Sequence, residues 1–342
     1  MDSLSQAVLG AAIGVSVVGW RRARKDAATG AASLWKAAAW GALAGTLPDL
    51  DVFIDHGNPV LNMVLHRAET HALFWLTLFS LPFAVIAAGL SGSIAAWRRW
   101  WLALWLALIT HPLLDAMTVY GTQLALPFSD QPYAVGSIFI IDPLYTLPLL
   151  IGVAIALARR HPRASTLGLV LSTAYLAWSA LAQGLVRNIA DDAIAVQRIN
   201  AERVLVTPSP FNTVAWRIVV MEPDHYLEGY YSLLDAQRTI RFDRFERGRV
   251  LEQELRGIDA YERLSRFSRG FYAVRQDGTR LLMSDLRMGQ EPTYTFTFAI
   301  AERASVARAL AQPQQLGQRP DIERVLPWLW RRIGGDTAPP PR

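Results

Sequence analysis

The chain has 342 residues, 52% of them hydrophobic, no cysteine and a formal net charge of +5. The lack of cysteine excludes disulfides and thiolate metal sites. The positive charge would suit nucleic acid or an anionic membrane surface, and its placement favours the membrane. Arg21, Arg22, Arg24 and Lys25, then Arg98 and Arg99, then Arg159, Arg160 and Arg163 each lie between hydrophobic blocks, where positive-inside anchors belong. Nucleic acid is therefore not an expected partner.

In chain order, apolar blocks fall at about 4–20, 34–54, 70–90, 100–117, 136–158 and 165–186. The last four are each long enough for the roughly 17–25 helical residues of a membrane span. The first is short and glycine-rich and the second alanine-rich; counting them gives about six spans. The loops at 21–33, 91–99 and 159–164 are basic, whereas 55–69 and 118–135 carry acids, histidines and prolines. Placing the basic loops in the cytoplasm puts the N-terminus, the acid- and histidine-bearing loops and the C-terminal region outside. The N-terminus carries no cleavage signature, so a removable signal peptide is not expected.

From about 187 the pattern changes. Residues 187–200 predict a linker helix. Alternating β-branched and aromatic runs follow at Arg203–Thr207, Thr213–Met221, His225–Leu233, Phe271–Arg275, Arg280–Ser284 and Thr293–Ala301, with Asp277-Gly278 as a hairpin signal. The expected architecture is an α-helical multi-pass membrane domain (1–186) followed by a small β-rich extracytoplasmic domain (201–305). Residues 306–342 form a C-terminal segment whose proline-rich tail, 334–342, is expected to be disordered. Pro208-Ser209-Pro210-Phe211-Asn212 predicts a rigid turn.

The chemistry concentrates in two short clusters at the ends of apolar blocks. One comprises Asp49 and Asp51, then His66, Arg67, Glu69 and His71. The other comprises His111 and Asp115. Ionisable groups beside long apolar runs are costly to keep and mark functional sites. Imidazole with carboxylate is a ligand set that suits zinc and similar divalent ions. His111 and Asp115, four apart, share one helix face. Asp49 and Asp51 point to one side if the stretch is extended. His66 and His71, five apart, can both serve if His66 lies in a loop. Asp142 begins the fifth block on the same side. The bland readings are helix capping for Asp49 or Asp142 and a structural polar network for the histidines. His56, His161 and His225 are set aside, His56 being a weaker extra ligand.

The expected centre is thus a divalent-ion site, zinc by ligand type, held by Asp49, Asp51, His66, His71, His111, Asp115 and Asp142. Such an ion activates water and polarises a phosphoryl or carbonyl oxygen. Glu69 or an unligated aspartate is a candidate general base, and Arg67 is either a phosphate or carboxylate holder or an interfacial anchor. Thr118, Tyr120 and Gln123 are candidate supporting donors.

At these residues the chain resembles the YdjM-like family of predicted membrane-bound metal-dependent hydrolases. The matching segments are Met1–Gly10, Gly45–Asp51, His66–His71, His111–Asp115, Tyr120–Gln123, Ile141–Tyr145 and Pro208–Asn212. The resemblance implies a multi-pass inner-membrane protein with a metal-dependent hydrolase activity. A more distant similarity, through Asp51, His66, His111 and Asp115, is to the zinc-dependent phospholipase C superfamily. The chain departs from that pattern at Gln6, where related membrane families place a histidine, and in having no further histidine pair after Asp115 in the apolar region. One or two metals are therefore expected rather than three. Membrane lipids are the expected surroundings, and a lipid or phosphate ester the expected substrate. The rival readings are a non-catalytic membrane scaffold with a structural polar cluster, and a transporter. A transporter would carry its polar groups at mid-membrane rather than at one end.

Overall fold

The computed structural model describes residues 1–19, 27–303, 307–318 and 321–342; the basic cluster at 21–25 lies outside the described residues. A helical N-terminal region is followed by a β-sheet C-terminal region. Two compact units result. The first comprises Met1–Ile54, Arg67–Ala180 and Pro210–Asn212, the second Asp55–His66, Leu181–Ser209 and Thr213–Arg342.

The helices run in order α1 (Ser3–Gly19), α2 (Ala27–Thr46), α3 (Pro59–Leu65), α4 (Leu73–Leu90), α5 (Trp97–Ala116), α6 (Pro143–Ala158) and α7 (Arg163–Val196). Each apolar block holds one long helix, with two differences of extent. The second block stops being α-helical at Thr46, because Pro48 cannot donate to a continuing helix and instead starts a 3₁₀ turn over Pro48–Phe53. The sixth runs past its expected end: α7 is 34 residues long and absorbs most of the expected linker. Val186, Ile189, Ala190, Ala193 and Ile194 keep the helical spacing and are buried there, and no proline interrupts. Two of these helices, α4 and α7, are long and apolar enough to cross a membrane.

The first unit mixes many alanines with larger side chains inside and leaves many large apolar residues outside. Its core holds Ala12, Ala37, Ala84, Ala87, Ala103, Ala107 and Ala156, filled in by Trp100, Leu104, Leu108 and Leu149. Phe74, Trp75, Leu78, Ile86, Leu150, Ile151, Val170 and Leu171 are exposed. A soluble bundle would put its large side chains inward; this distribution suits a surface that lipid covers. Helices α1 and α2 touch backbone to backbone. A Cβ on Gly10 would lie 2.1 Å from the Gly41 carbonyl oxygen, and one on Gly41 would lie 2.2 Å from that of Gly10. Only glycine permits that approach.

Among the described residues, the second unit contains two four-stranded antiparallel sheets and one two-stranded pair. The first is a meander of β1 (Arg203–Pro208), β2 (Ala215–Met221), β3 (His225–Ser232) and β4 (Phe242–Glu246). After helices α8 (Arg249–Leu255) and α9 (Asp259–Phe267) come β5 (Tyr272–Asp277) and β6 (Arg280–Asp285). The short pair β7 (Gly289–Gln290) and β8 (Thr293–Tyr294) follows, then β9 (Thr297–Arg303), β10 (Ala307–Gln315) and helix α10 (Ile322–Ile333). The second sheet has the order β10-β9-β6-β5. Asp277-Gly278 makes the expected hairpin, with Gly278 at φ 57 and Asp277 opposite Arg280. Strand β2 is buried along its whole length because both of its faces are covered. Trp216, Ile218 and Val220 pack with the C-terminal half of α7; Val219 and Met221 pack with Phe271, Ala273 and Tyr294. A strand buried on both faces reads as a continuous apolar run rather than an alternation.

At the expected turn, Phe211 takes φ 66 and Asn212 Nδ2 donates to the Pro210 carbonyl at 2.9 Å. The tail expected to be disordered instead carries contacts. Trp328 Nε1 donates to the Ala338 carbonyl at 2.9 Å, and Arg342 pairs with Asp243 at 2.8 Å. Three consecutive prolines leave that tail little chain entropy to lose on ordering.

Candidate metal centre

Three chain segments of the first unit bring the site together. Asp49 sits in the 3₁₀ turn that follows α2. His71 ends a second 3₁₀ turn, Glu69–His71, just before α4. His111 and Asp115 lie one turn apart near the C-terminal end of α5, with Pro112 between them inside the helix. His71, His111 and Asp115 are fully buried, while the Asp49 side chain is 19% exposed.

Asp49 Oδ1 is 3.5 Å from His71 Nε2 and 3.3 Å from His111 Nε2. Asp115 Oδ2 is 3.3 Å from His71 Nε2 and 3.4 Å from His111 Nε2. The two imidazole nitrogens are 3.2 Å apart. Ligand atoms at about 2.0–2.1 Å from a tetrahedral centre are about 3.3–3.4 Å from one another. The five separations match that spacing, and all four atoms lie within 4.8 Å of one another. The residues therefore fit a divalent ion.

Hydrogen bonding on the far side of each ring fixes which nitrogen faces the centre. His111 Nδ1 is 2.6 Å from the Gly45 carbonyl oxygen, which can only accept, so Nδ1 carries the proton. Thr70 Oγ1 donates its one proton to Asp51 Oδ2 at 2.8 Å and lies 2.9 Å from His71 Nδ1, so that nitrogen donates to the hydroxyl. Both Nε2 atoms then present either lone pairs or the second proton of an imidazolium. Two lone pairs 3.2 Å apart repel unless a cation lies between them. Two neutral imidazoles and two carboxylates also balance the charge of a divalent ion. Asp115 Oδ2 is buried and has the Arg67 guanidinium 3.3 Å away, but among the described residues it accepts no hydrogen bond of good geometry. Coordination would give this oxygen a direct partner.

A second set of groups holds Asp115. Its Oδ1 accepts from Gln6 Nε2 at 3.1 Å and from the Met1 amino group. Gln6 Nε2 also reaches the His111 carbonyl at 3.2 Å. Arg67 is buried with φ 65, a conformation that non-glycine residues adopt at a cost. Its Nε is 3.3 Å from Asp115 Oδ2, its Nη1 donates to Thr118 Oγ1 at 3.4 Å, and its guanidinium lies 5.0 Å from the Tyr120 ring centre. The backbone N–H of Gln123 donates to the Arg67 carbonyl at 3.0 Å. Residues 118, 120 and 123, expected as supporting donors, meet Arg67 in other ways: Thr118 accepts from its guanidinium, Tyr120 faces it with its ring and Gln123 bonds its backbone.

The structure sorts the residues singled out in the sequence. Asp49, His71, His111 and Asp115 converge. Asp51 does not join them: it accepts from the Arg67 backbone N–H at 2.9 Å and from Thr70, on the Nδ1 side of His71. An extended stretch would have aimed Asp49 and Asp51 the same way. The 3₁₀ turn, with three residues per turn, sends them apart, one carboxylate to each nitrogen of the same ring. His66 caps the C-terminus of α3 and lies outside the converging group. Asp142 is also outside it. It caps α6, accepting from the Leu144 and Tyr145 backbone N–H groups at 3.0 and 3.4 Å and from the Tyr175 hydroxyl at 3.0 Å. Glu69 opens its 3₁₀ turn with an exposed side chain and is likewise not in the group. Pro112 lies inside the last turns of α5. Gln6 entered the sequence reading only as a departure from a pattern. Thr70 and the Gly45 carbonyl were missed as supports, although both fall inside the motif segments.

The chain is similar to the uncharacterized protein YfhP of Bacillus subtilis (strain 168), at 26% identity over 201 residues. The match covers 57% of this chain and 60% of that protein, so the chain spans less than two thirds of its relative. No solved structure matches the chain. Residues 1–186, which carry all four converging side chains, match the family described as YdjM inner membrane protein. That is more than half of the chain, and the chain belongs to the YdjM inner membrane protein family.

Proposed function

We propose that this protein is a multi-pass membrane-bound metal-dependent hydrolase acting on a lipid or phosphate ester at the outer bilayer surface. The observation that carries the reading is the tetrahedral spacing of two imidazole nitrogens and two carboxylate oxygens in a buried cluster. Nitrogen and oxygen ligands at that spacing favour zinc. When bound, a divalent ion there activates water and polarises the ester oxygen. Asp49 is the ligand with exposed side-chain surface, so its carboxylate is the one able to yield to water or to take a proton from it. Arg67 holds Asp115 in place. Glu69, exposed two residues before His71, can meet a substrate approaching from the surface. Leu50, Val52, Phe53 and Ile54 form an exposed apolar lip beside Asp49, suited to acyl chains.

The expected result is slow hydrolysis of phosphate-ester or acyl-ester lipids by the purified, metal-loaded protein in neutral detergent. Asp49→Asn should cut turnover by about 10²–10⁴, the usual range for loss of a general base. A second reading has its own support: four protein ligands is the number that closes a structural zinc site. Metal that is bound stoichiometrically, with no turnover of any phosphodiester, phosphomonoester or carboxylic-ester lipid, would leave only that reading standing.

The membrane placement that goes with the hydrolase has six crossing helices, with Arg98 and Arg99 at the start of α5 and the loop at 159–163 in the cytoplasm and the β-sheet region outside. A periplasm-active reporter fused at residue 342 should be active, and one fused in the 159–163 loop silent. A C-terminal reporter that works only in the cytoplasm would overturn this placement and the outward-facing site with it.

A further inference from the structure

The second unit contains a cleft that the metal centre does not use. Its volume is about 1030 Å³, and five arginines line it: Arg203, Arg247, Arg263, Arg266 and Arg269. Two carboxylates face them, Glu252 and Glu262, and both are engaged. Glu252 Oε1 accepts from the hydroxyls of Tyr261 and Tyr272 at 3.0 and 2.8 Å, and Glu262 Oε1 accepts from the Gly257 N–H at 3.1 Å.

The arginines come from separate parts of the fold. Arg263 and Arg266 lie on α9, and Arg269 follows its C-terminus. Arg203 begins β1, and Arg247 follows β4. The helix dipole accounts for cations at the end of α9, but not for two more brought in from the first sheet. Local structure holds several of them in place. Gly270 has φ +81, and a Cβ there would lie 2.6 Å from Arg203 Nε, so the absence of a side chain makes room for that guanidinium. Arg269 takes φ 56. Burial and the charges of Arg287 and Arg203 together hold its guanidinium below the ordinary arginine range. Arg247 is buried, lies 5.5 Å from the Tyr272 ring centre, donates through Nη1 to Glu202 at 3.0 Å and to the Glu222 carbonyl at 3.2 Å, and has its Nε 3.9 Å from Glu252 Oε2, so its charge is already matched. Like charges gathered this way repel, and a bound anion would relieve the repulsion.

We propose that this cleft binds a phosphate-bearing anion, gripped by Arg203, Arg266 and Arg269. Guanidinium forks match phosphate oxygens two at a time, and several converging forks call for more acceptor oxygens than one carboxylate offers. The phosphate can belong to a soluble ester or to a lipid headgroup. The site stands on residues of the second unit alone and does not depend on the hydrolase reading.

The test is isothermal titration of the full chain in an uncharged detergent. The probes are inorganic pyrophosphate for the soluble source and dihexanoyl phosphatidic acid for the lipid source. Saturable 1:1 binding of at least one probe is expected, weakening as salt is raised. Arg203→Gln and Arg269→Gln should each weaken it about ten- to a hundredfold, as loss of a charge-assisted hydrogen bond does. Arg269→Lys should recover part of the loss. Arg263→Gln should change binding little, since Arg263 is already paired with Asp259 at 2.7 Å. Binding of phosphatidic acid alone assigns a lipid headgroup; binding of pyrophosphate as well assigns a soluble phosphate. No saturable binding of either probe, or equal affinity in wild type and both glutamine variants that melt normally, overturns the proposal. Metal content, measured in the same samples, should be unchanged throughout.

Discussion

His111→Ala and His71→Ala are each expected to lower divalent-metal affinity by more than about a hundredfold, since supporting groups alone are worth 10–100-fold. Asp115→Ala should do the same, and it would also release Arg67 and Gln6 from the carboxylate they hold. Thr70→Val and Asp51→Asn should fall in the 10–100-fold range itself. They break the chain that orients His71, in which Asp51 accepts from Thr70 and Thr70 from Nδ1. Asp142→Asn should leave metal content at the wild-type value, because its oxygens are spent on the N-terminus of α6 and on Tyr175. Elemental analysis of purified proteins, followed by titration against a chelator of known affinity, gives these values. Equal metal content in wild type and His111→Ala would remove the centre altogether. A loss in Asp51→Asn as large as in Asp49→Asn would show that the two carboxylates are not divided between the two sides of His71.

The second large effect lies in the β-sheet region. Arg217 on β2 is buried and pairs with the fully buried Glu228 on β3, its Nη2 at 2.6 Å and its Nε at 2.7 Å from Oε2. Its Nη1 donates to the Leu286 carbonyl at 2.8 Å. Burial would lower the Arg217 pKa, but the Glu228 charge outweighs it and holds the guanidinium above its ordinary value. Taking away Glu228 leaves a buried cation without its counter-charge. Glu228→Ala should therefore destabilise this unit by about 3–5 kcal/mol. The double replacement Arg217→Met, Glu228→Leu should recover most of that, because apolar side chains of similar volume often replace a buried ion pair at little cost. Denaturant titration followed by near-ultraviolet circular dichroism measures both. A wild-type midpoint for Glu228→Ala would mean that solvent reaches the pair.

Some of this molecule is written locally. His111 and Asp115 are four apart on a helix, and the helical repeat alone aims both at one point. The β2, β3, β5 and β6 strands follow from β-branched and aromatic runs, and the hairpin at 277–278 from two residues. Besides the two-residue β7, the strands that escaped notice are β4 and β10. Their burial is partial, and β10 reads Ala-Arg-Ala-Leu-Ala-Gln-Pro-Gln-Gln, with no apolar alternation to mark it. Both stand at sheet edges, where one side of the strand needs no partner. The extent of α7 was misjudged because its apolar face passes from one core to another without a break in helical period.

The sequence by itself determined the two-part organisation, the apolar helices and the residue types of the centre, because hydrophobic period and ligand chemistry are local properties. It did not decide which carboxylate meets which nitrogen. That choice rests on the 3₁₀ turn at 48–53, on the glycine contact that brings α1 against α2, and on the Gly45 carbonyl that fixes the His111 ring. The last two depend on segments far apart in the chain meeting at a distance of a few ångströms. Only tertiary packing sets such distances, so Asp49 and Asp51, two residues apart, could be assigned their different places only in the folded protein.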